Sequence, residues 1–155
     1  MRTFEGQLAA RDARFCVIAA RFNDAIVDNL VRGALDTLKR HGAAESAIDI
    51  VRVPGAWELP LAARRIARAR QYDGIVALAA VIRGATPHFD YVCGECVAGL
   101  NRVSLEFDMP IGFGVLTCGT IEQALERSGT KQGNKGVDAA LAAIEMVSLL
   151  RQIGA

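Results

Sequence analysis

Short, almost wholly apolar runs alternate along this chain with longer stretches whose apolar residues return every three or four positions. The short runs are FCVIAA (15–20), IDIVRV (48–53), GIVALAAVI (74–82) and IGFGVLT (111–117), and their flanking turn signals predict β-strands. Three of them are nearly continuous in hydrophobicity, the pattern of strands covered on both faces. The longer stretches predict helices over 24–42, 58–71, roughly 88–107, 120–129 and 135–153. In the first of these, Val27, Leu30, Val31, Ala34 and Leu38 share a face; Asn23 or Asp24 can cap its start, and Gly42 suits a left-handed stop. Such alternation requires crossover connections. It predicts an α/β fold, a three-layer α/β/α sandwich of flavodoxin-like type around a four-stranded parallel sheet. FEGQL (4–8) reads as an additional N-terminal edge strand, with a neighbouring subunit's sheet as its alternative place. The last helix is apolar around much of its girth, at Val137, Leu141, Ile144, Met146, Val147, Leu149 and Leu150. A monomer covers one face of such a helix, so the pattern implies an oligomer.

The 155 residues make most simply one domain, 1–155, with no internal repeat or linker. A net charge of +1 gives no bulk electrostatic reason to bind nucleic acid or an anionic membrane surface. Residues 1–13 lack the apolar centre of a secretory signal, and the longest apolar run, 75–82, is far short of the roughly 20 residues that span a bilayer. A cytoplasmic location is the default expectation. Disulfides are then disfavoured for Cys16, Cys93, Cys96 and Cys118. CGEC (93–96) raises a metal or redox site, but it has no second ligand pair and falls inside a predicted helix. The four cysteines are expected to be structural thiols, with no metal.

In an open parallel sheet, ligands bind beyond the carboxyl ends of the strands. That brings together RFND (21–24), PGAWELP (54–60), RGATPHF (83–89) and CGT (118–120). Phe22 and Trp57, the sole tryptophan, are loop aromatics that either cap the core or form a stacking platform for a flat ligand. Phe113, between Gly112 and Gly114, reads equally as a core strand residue or as a third ring. Glu58 is a dipole-favoured acid at the start of the second helix and is equally suited to hydrogen-bonding a ligand. Gly84 permits close backbone approach, and Pro87 suits a helix start whose free N–H groups favour an anion. His88, one of two histidines, lies at that junction, where a proton-transfer group belongs. His41, at a helix end, has an ordinary dipole role. Of only three lysines, Lys131 and Lys135 fall in ERSGTKQGNKG (126–136) with Arg127, among Gly129, Gly133 and Gly136. The segment is either a solvated helix connector or a phosphate site. No Walker or G-x-G-x-x-G pattern is present, so no nucleotide cofactor is indicated.

RFN (21–23), VPGAWELP (53–60), VIRGATPHFDYV (81–92), PIGFGVLT (110–117), ERSGTKQGNKG (126–136) and DAALAAIEM (138–146), in this order, resemble the lumazine synthase family over essentially the whole chain. The resemblance implies a transferase of riboflavin biosynthesis that uses no metal or redox cofactor. Its substrates would be 5-amino-6-(D-ribitylamino)uracil and 3,4-dihydroxy-2-butanone 4-phosphate. Its products would be 6,7-dimethyl-8-ribityllumazine, phosphate and water. Carried onto this chain, the resemblance implies that Phe22 and Trp57 bracket the pyrimidine, with Phe113 in its pocket. Glu58 and the backbone of Ala56 would face the ribityl chain. The backbone of Ala80, Val81 and Ile82 would contact the ring, and Lys135 would lie near it. Ala85, Thr86 and Arg127 would hold the phosphate, with His88 as proton donor. Trp57 stands where many members carry phenylalanine, a change that keeps the stacking. The family builds pentamers with active sites between adjacent subunits, and many members assemble pentamers into a hollow icosahedral shell.

Overall fold

The computed structural model describes residues 1–154. Four strands, β1 (Phe15–Ala20), β2 (Ile48–Val53), β3 (Gly74–Ile82) and β4 (Ile111–Cys118), pair in parallel in the order β2-β1-β3-β4. Every strand lies within one residue of its expected place. Helices α1 (Asp24–Arg40) and α5 (Lys135–Ile153) cover one face, and α2 (Leu59–Ala69) and α3 (His88–Phe107) the other. The short α4 (Ile121–Glu126) follows β4. The result is the flavodoxin-like three-layer sandwich.

The two cores explain the apolar strands. Along β1, Phe15, Val17 and Ala19 join the core under α1 and α5, while Cys16, Ile18 and Ala20 join the core under α2 and α3. Alternate side chains point to opposite faces, so covering both faces requires every position to be apolar. The edge strand β2 has only its last residue, Val53, buried and keeps Asp49 and Arg52 exposed. On α5, Ala139, Ala140, Ala143, Ile144 and Val147 face the core. The chain passes from β1 through α1 to β2, then back across β1 through α2 to β3. The direction of winding therefore reverses between β1 and β3, where a crevice opens at the carboxyl ends of the strands. Among the described residues, no helix is long and apolar enough to cross a membrane.

Four expectations need correction. Residues 4–8 form no strand of this sheet: the Gln7 N–H donates to the Ser148 hydroxyl at 2.9 Å, and the Gln152 amide donates to the Glu5 carbonyl at 2.7 Å. Within one chain the segment is thus held by side chains of α5 and not by a strand. Asn23 does not cap α1 with its side chain, which is directed elsewhere. The expected helix 120–129 ends at Glu126, and a small antiparallel hairpin follows: β5 (Ser128–Thr130) and β6 (Gly133–Asn134). The apolar girth of α5 is mostly covered, with Met146 41% exposed, whereas Tyr91, Val97 and Leu105 on α3 and Ile121 and Leu125 on α4 stand exposed. Leu61 on α2 and Ile153 at the end of α5 are exposed as well, so the uncovered apolar surface is spread over α2, α3, α4 and the last turn of α5. Ala155, the last residue of the expected domain 1–155, lies outside the described residues.

Helix α5 lies directly on β4. A Cβ at Gly112 would meet the carbonyl oxygen of Ala139, with the Ala139 carbonyl carbon 2.7 Å away. Backbone cannot yield as a side-chain tip does, so Gly112→Ala is expected to destabilise the fold by about 1–3 kcal/mol. Thermal unfolding beside Gly94→Ala checks this, because a methyl at Gly94 meets nothing within 4 Å and should leave the melting temperature unchanged or raised.

Candidate active site

The loops at the β1/β3 reversal are fixed by backbone hydrogen bonds. The N–H groups of Arg21 and Phe22 donate to the carbonyls of Val53 (2.8 Å) and Pro54 (3.0 Å), extending the β1–β2 ladder past the strand ends. Asn23 then adopts the left-handed conformation, φ 60° and ψ 44°, which asparagine tolerates better than most residues. Its carbonyl accepts the N–H groups of Ile26 and Val27, both at 3.0 Å, and so starts α1. Its side-chain amide donates across the reversal to the Ala80 carbonyl at 2.8 Å. One residue thus turns the chain and ties the loop after β1 to the end of β3.

That turn leaves Phe22 65% exposed, with its ring over Gly55, where an added Cβ would lie 2.6 Å from a ring carbon. Trp57, 58% exposed, stands in a short 3-10 turn (Ala56–Glu58) on the same rim. Both rings are thus largely exposed, Phe22 with one side against Gly55. Ala56 is buried beneath them. The Glu58 carboxylate accepts the Gly55 N–H through Oε2 at 3.0 Å, which leaves Oε1 without a protein partner among the described residues. Glu58 thus closes the turn before α2 with one carboxylate oxygen.

Beside this rim, β3 emerges from the core. Ala80 is buried, Val81 and Ile82 are half-buried, and the residues from Arg83 to His88 are all exposed. Gly84, Ala85 and Thr86 donate their N–H groups to no protein acceptor among the described residues. His88 is the first residue of α3, behind Pro87, and its exposed imidazole has no hydrogen-bond partner among the described residues. An accessible imidazole beside a row of free N–H groups can move protons next to a bound anion.

The remaining predicted residues lie elsewhere. Phe113, 40% exposed, sits opposite Ala77 on the outer strand β4. It lines a hollow of about 390 Å³ with Arg127, Gln132, Lys135 and Asp138. Thr120 caps α4 by accepting the Gln123 N–H at 3.1 Å, and Arg127 ends that helix. The Arg127 guanidinium donates to the Gln123 carbonyl at 3.0 Å and lies 3.7 Å from Glu126. The Lys135 N–H donates to the Arg127 carbonyl at 2.8 Å, so the hairpin brings the two cations together. Lys131 sits at the hairpin tip, exposed and outside the hollow. Among the described residues, none of those on the aromatic rim lines this hollow. The predicted site therefore divides into two groups in a single chain: Phe22, Ala56, Trp57, Glu58, Ala80, Val81, Ile82, Ala85, Thr86 and His88 in one, and Phe113, Arg127 and Lys135 in the other.

Sequence reasoning missed several supports. Asn134 accepts the N–H groups of Gly136 (2.8 Å) and Val137 (3.3 Å) and donates to the Asn29 carbonyl (3.0 Å), which seats the start of α5 and Lys135 against α1. An asparagine directly before a helical pattern is the signal that could have found it. Asp138 follows Lys135 by three residues, the spacing that puts both on one helix face. Gln132 carries no local signal.

The cysteines are protonated structural groups. Burial, with a smaller contribution from Asp49, pushes the Cys16 thiol up to about 12, and burial with Cys93 nearby pushes Cys96 up to about 11. Burial also raises Cys93 and Cys118; the Arg127 cation partly opposes the rise at Cys118. Because Cys16 holds its proton more tightly folded than at its ordinary value of 9.0, its contribution to stability is full below about pH 9 and is lost as pH rises toward 12. Denaturation midpoints should fall over that alkaline window and recover in part in Cys16→Ala. At about pH 8, maleimide should leave Cys16 and Cys96 unlabelled until the chain unfolds.

The sequence matches the family model of 6,7-dimethyl-8-ribityllumazine synthase over residues 12–151, nearly its whole length. With a match of that extent on this fold, the chain belongs to the 6,7-dimethyl-8-ribityllumazine synthase family, whose members are transferases of riboflavin biosynthesis.

Proposed function

We propose that this protein condenses 5-amino-6-(D-ribitylamino)uracil with 3,4-dihydroxy-2-butanone 4-phosphate to give 6,7-dimethyl-8-ribityllumazine, phosphate and water, the penultimate step of riboflavin biosynthesis. An amine of the uracil attacks the ketone to form an imine, phosphate leaves by β-elimination, and the second amine closes the ring. The observation that carries this reading is the pairing of two incomplete half-sites on one chain. The rim offers exposed aromatic faces, free N–H groups and an imidazole; the hollow beside β4 offers a guanidinium and an ammonium.

In this reading a neighbouring copy brings its Phe113, Arg127 and Lys135 against the rim. Phe22 and Trp57 stack on the pyrimidine, and the backbone of Ala80, Val81 and Ile82 reads its edge. Glu58 and the Ala56 backbone receive the ribityl hydroxyls. Ala85, Thr86 and Arg127 hold the phosphate as it departs, while His88 moves protons at the reacting carbonyl. Positioning two reactants in this way can supply about 7–11 kcal/mol of the barrier where geometry is good. Domain 1–155 acts as one unit in a cytoplasmic ring of five copies, and icosahedral packing of such rings is the further assembly. The exposed Tyr91, Val97, Leu105, Ile121 and Leu125 support burial between copies.

Mixing the protein with both substrates and following lumazine absorbance and phosphate release tests the reaction; absence of both signals would refute it. Arg127→Ala should raise KM for the phosphate substrate by about 10- to 100-fold, since it removes a charge-assisted hydrogen bond. An unchanged KM would sink the phosphate assignment. His88→Ala should instead lower kcat by about 100-fold, with both KM values nearly intact. Sedimentation of the same sample separates a five-copy ring from a closed shell.

A further inference from the structure

The segment that carries Ala85, Thr86 and His88 is exposed throughout and is held by little of its own backbone. What spans it is a pair of side chains. The Arg83 guanidinium donates through Nη2 to Asp90 Oδ1 at 3.1 Å and lies 4.4 Å from the centroid of the Phe89 ring. Both ends of this strap are fixed. The Arg83 N–H donates to the Cys118 carbonyl at 2.9 Å, one rung beyond the β3–β4 ladder, and the Asp90 N–H donates to the Pro87 carbonyl at 3.0 Å in the first turn of α3. The strap therefore runs from the strand end to the helix start and bridges the residues between.

We propose that Arg83 and Asp90 are positioning residues that set the shape of the 84–88 loop without touching substrate. This rests on the function proposed above. With its edge on a carboxylate and its face over an aromatic ring, the guanidinium is engaged within the chain. Its work is to hold the row of free N–H groups and the imidazole in one arrangement.

The test compares Arg83→Met, Asp90→Asn, the double variant and Arg83→Lys. Because the pair is exposed, each single change should lower kcat and raise KM for the phosphate substrate by only about fivefold, leaving KM for the ribitylaminouracil unchanged. The double variant should be no worse than either single, since each removes the same strap, and Arg83→Lys should recover part of the loss. Amide exchange at the hydrogen-bonded N–H groups that flank the loop, those of Arg83, Asp90 and Tyr91, should quicken in both single variants. Two outcomes overturn the proposal. If Asp90→Asn lowers KM for the phosphate substrate while Arg83→Met raises it, Arg83 is itself an anion ligand restrained by Asp90. If melting temperature falls while kcat, both KM values and loop exchange stay put, the pair is merely structural. Exchange is read without turnover, so a wild-type protein that makes no lumazine would remove the assigned reaction and leave the strap to stand or fall on exchange.

Discussion

The hydrogen bond from the Asn23 amide to the Ala80 carbonyl spans the point where the sheet's winding reverses, and the organisation of the rim depends on it. Parallel strands all end on one edge of the sheet, so four loops are delivered there by topology alone. Topology does not fix where those loops stand relative to one another. Asn23 does, because a left-handed turn at that residue exposes Phe22, starts α1 through the backbone carbonyl and leaves the amide free to reach β3. An asparagine meets the three demands together. Glycine would accept the turn but has no amide, and an ordinary side chain would strain the turn.

Much of the fold was legible because burial on both faces leaves a plain mark. β1, β3 and β4 could be read from near-continuous hydrophobicity, and β2 from a short apolar run that Asp49 and Arg52 interrupt, as suits an edge strand. The expected bounds of α5, 135–153, agree with Lys135–Ile153, although the asparagine that caps its start was not read from the sequence. The failures share a cause. The hairpin at 128–134 is too short to carry a periodic signal, and the amino-terminal segment is fixed by one hydrogen bond to Ser148 and one from Gln152, over 140 residues away in sequence. Contacts between such distant residues leave no local pattern.

Candidate site residues could be named from the sequence, but not their arrangement. Phe22, Trp57 and His88 betrayed themselves as residues that a turn has no need of, and their exposure agrees with that. Arg127 and Lys135 stood out by the clustering of cations among glycines. That these five do not share a cavity within one chain follows from strand order, with β4 placing its hollow on the outer edge of the sheet. Strand order is a long-range property, and four apolar runs permit several orders.

The division has a physical consequence for the proposed chemistry. A guanidinium facing open water holds an anion weakly, because solvent screens the pair, and an exposed imidazole shares its protons with bulk water. Burying the hollow of one copy against the rim of another removes that solvent from both halves at once. In that proposed arrangement the cation would act on the leaving phosphate through a medium of lower dielectric, and the imidazole would exchange protons with the substrate instead of with solvent. In the proposed reading assembly and catalysis are one requirement, because closure between copies is what would make the charges of the two half-sites strong.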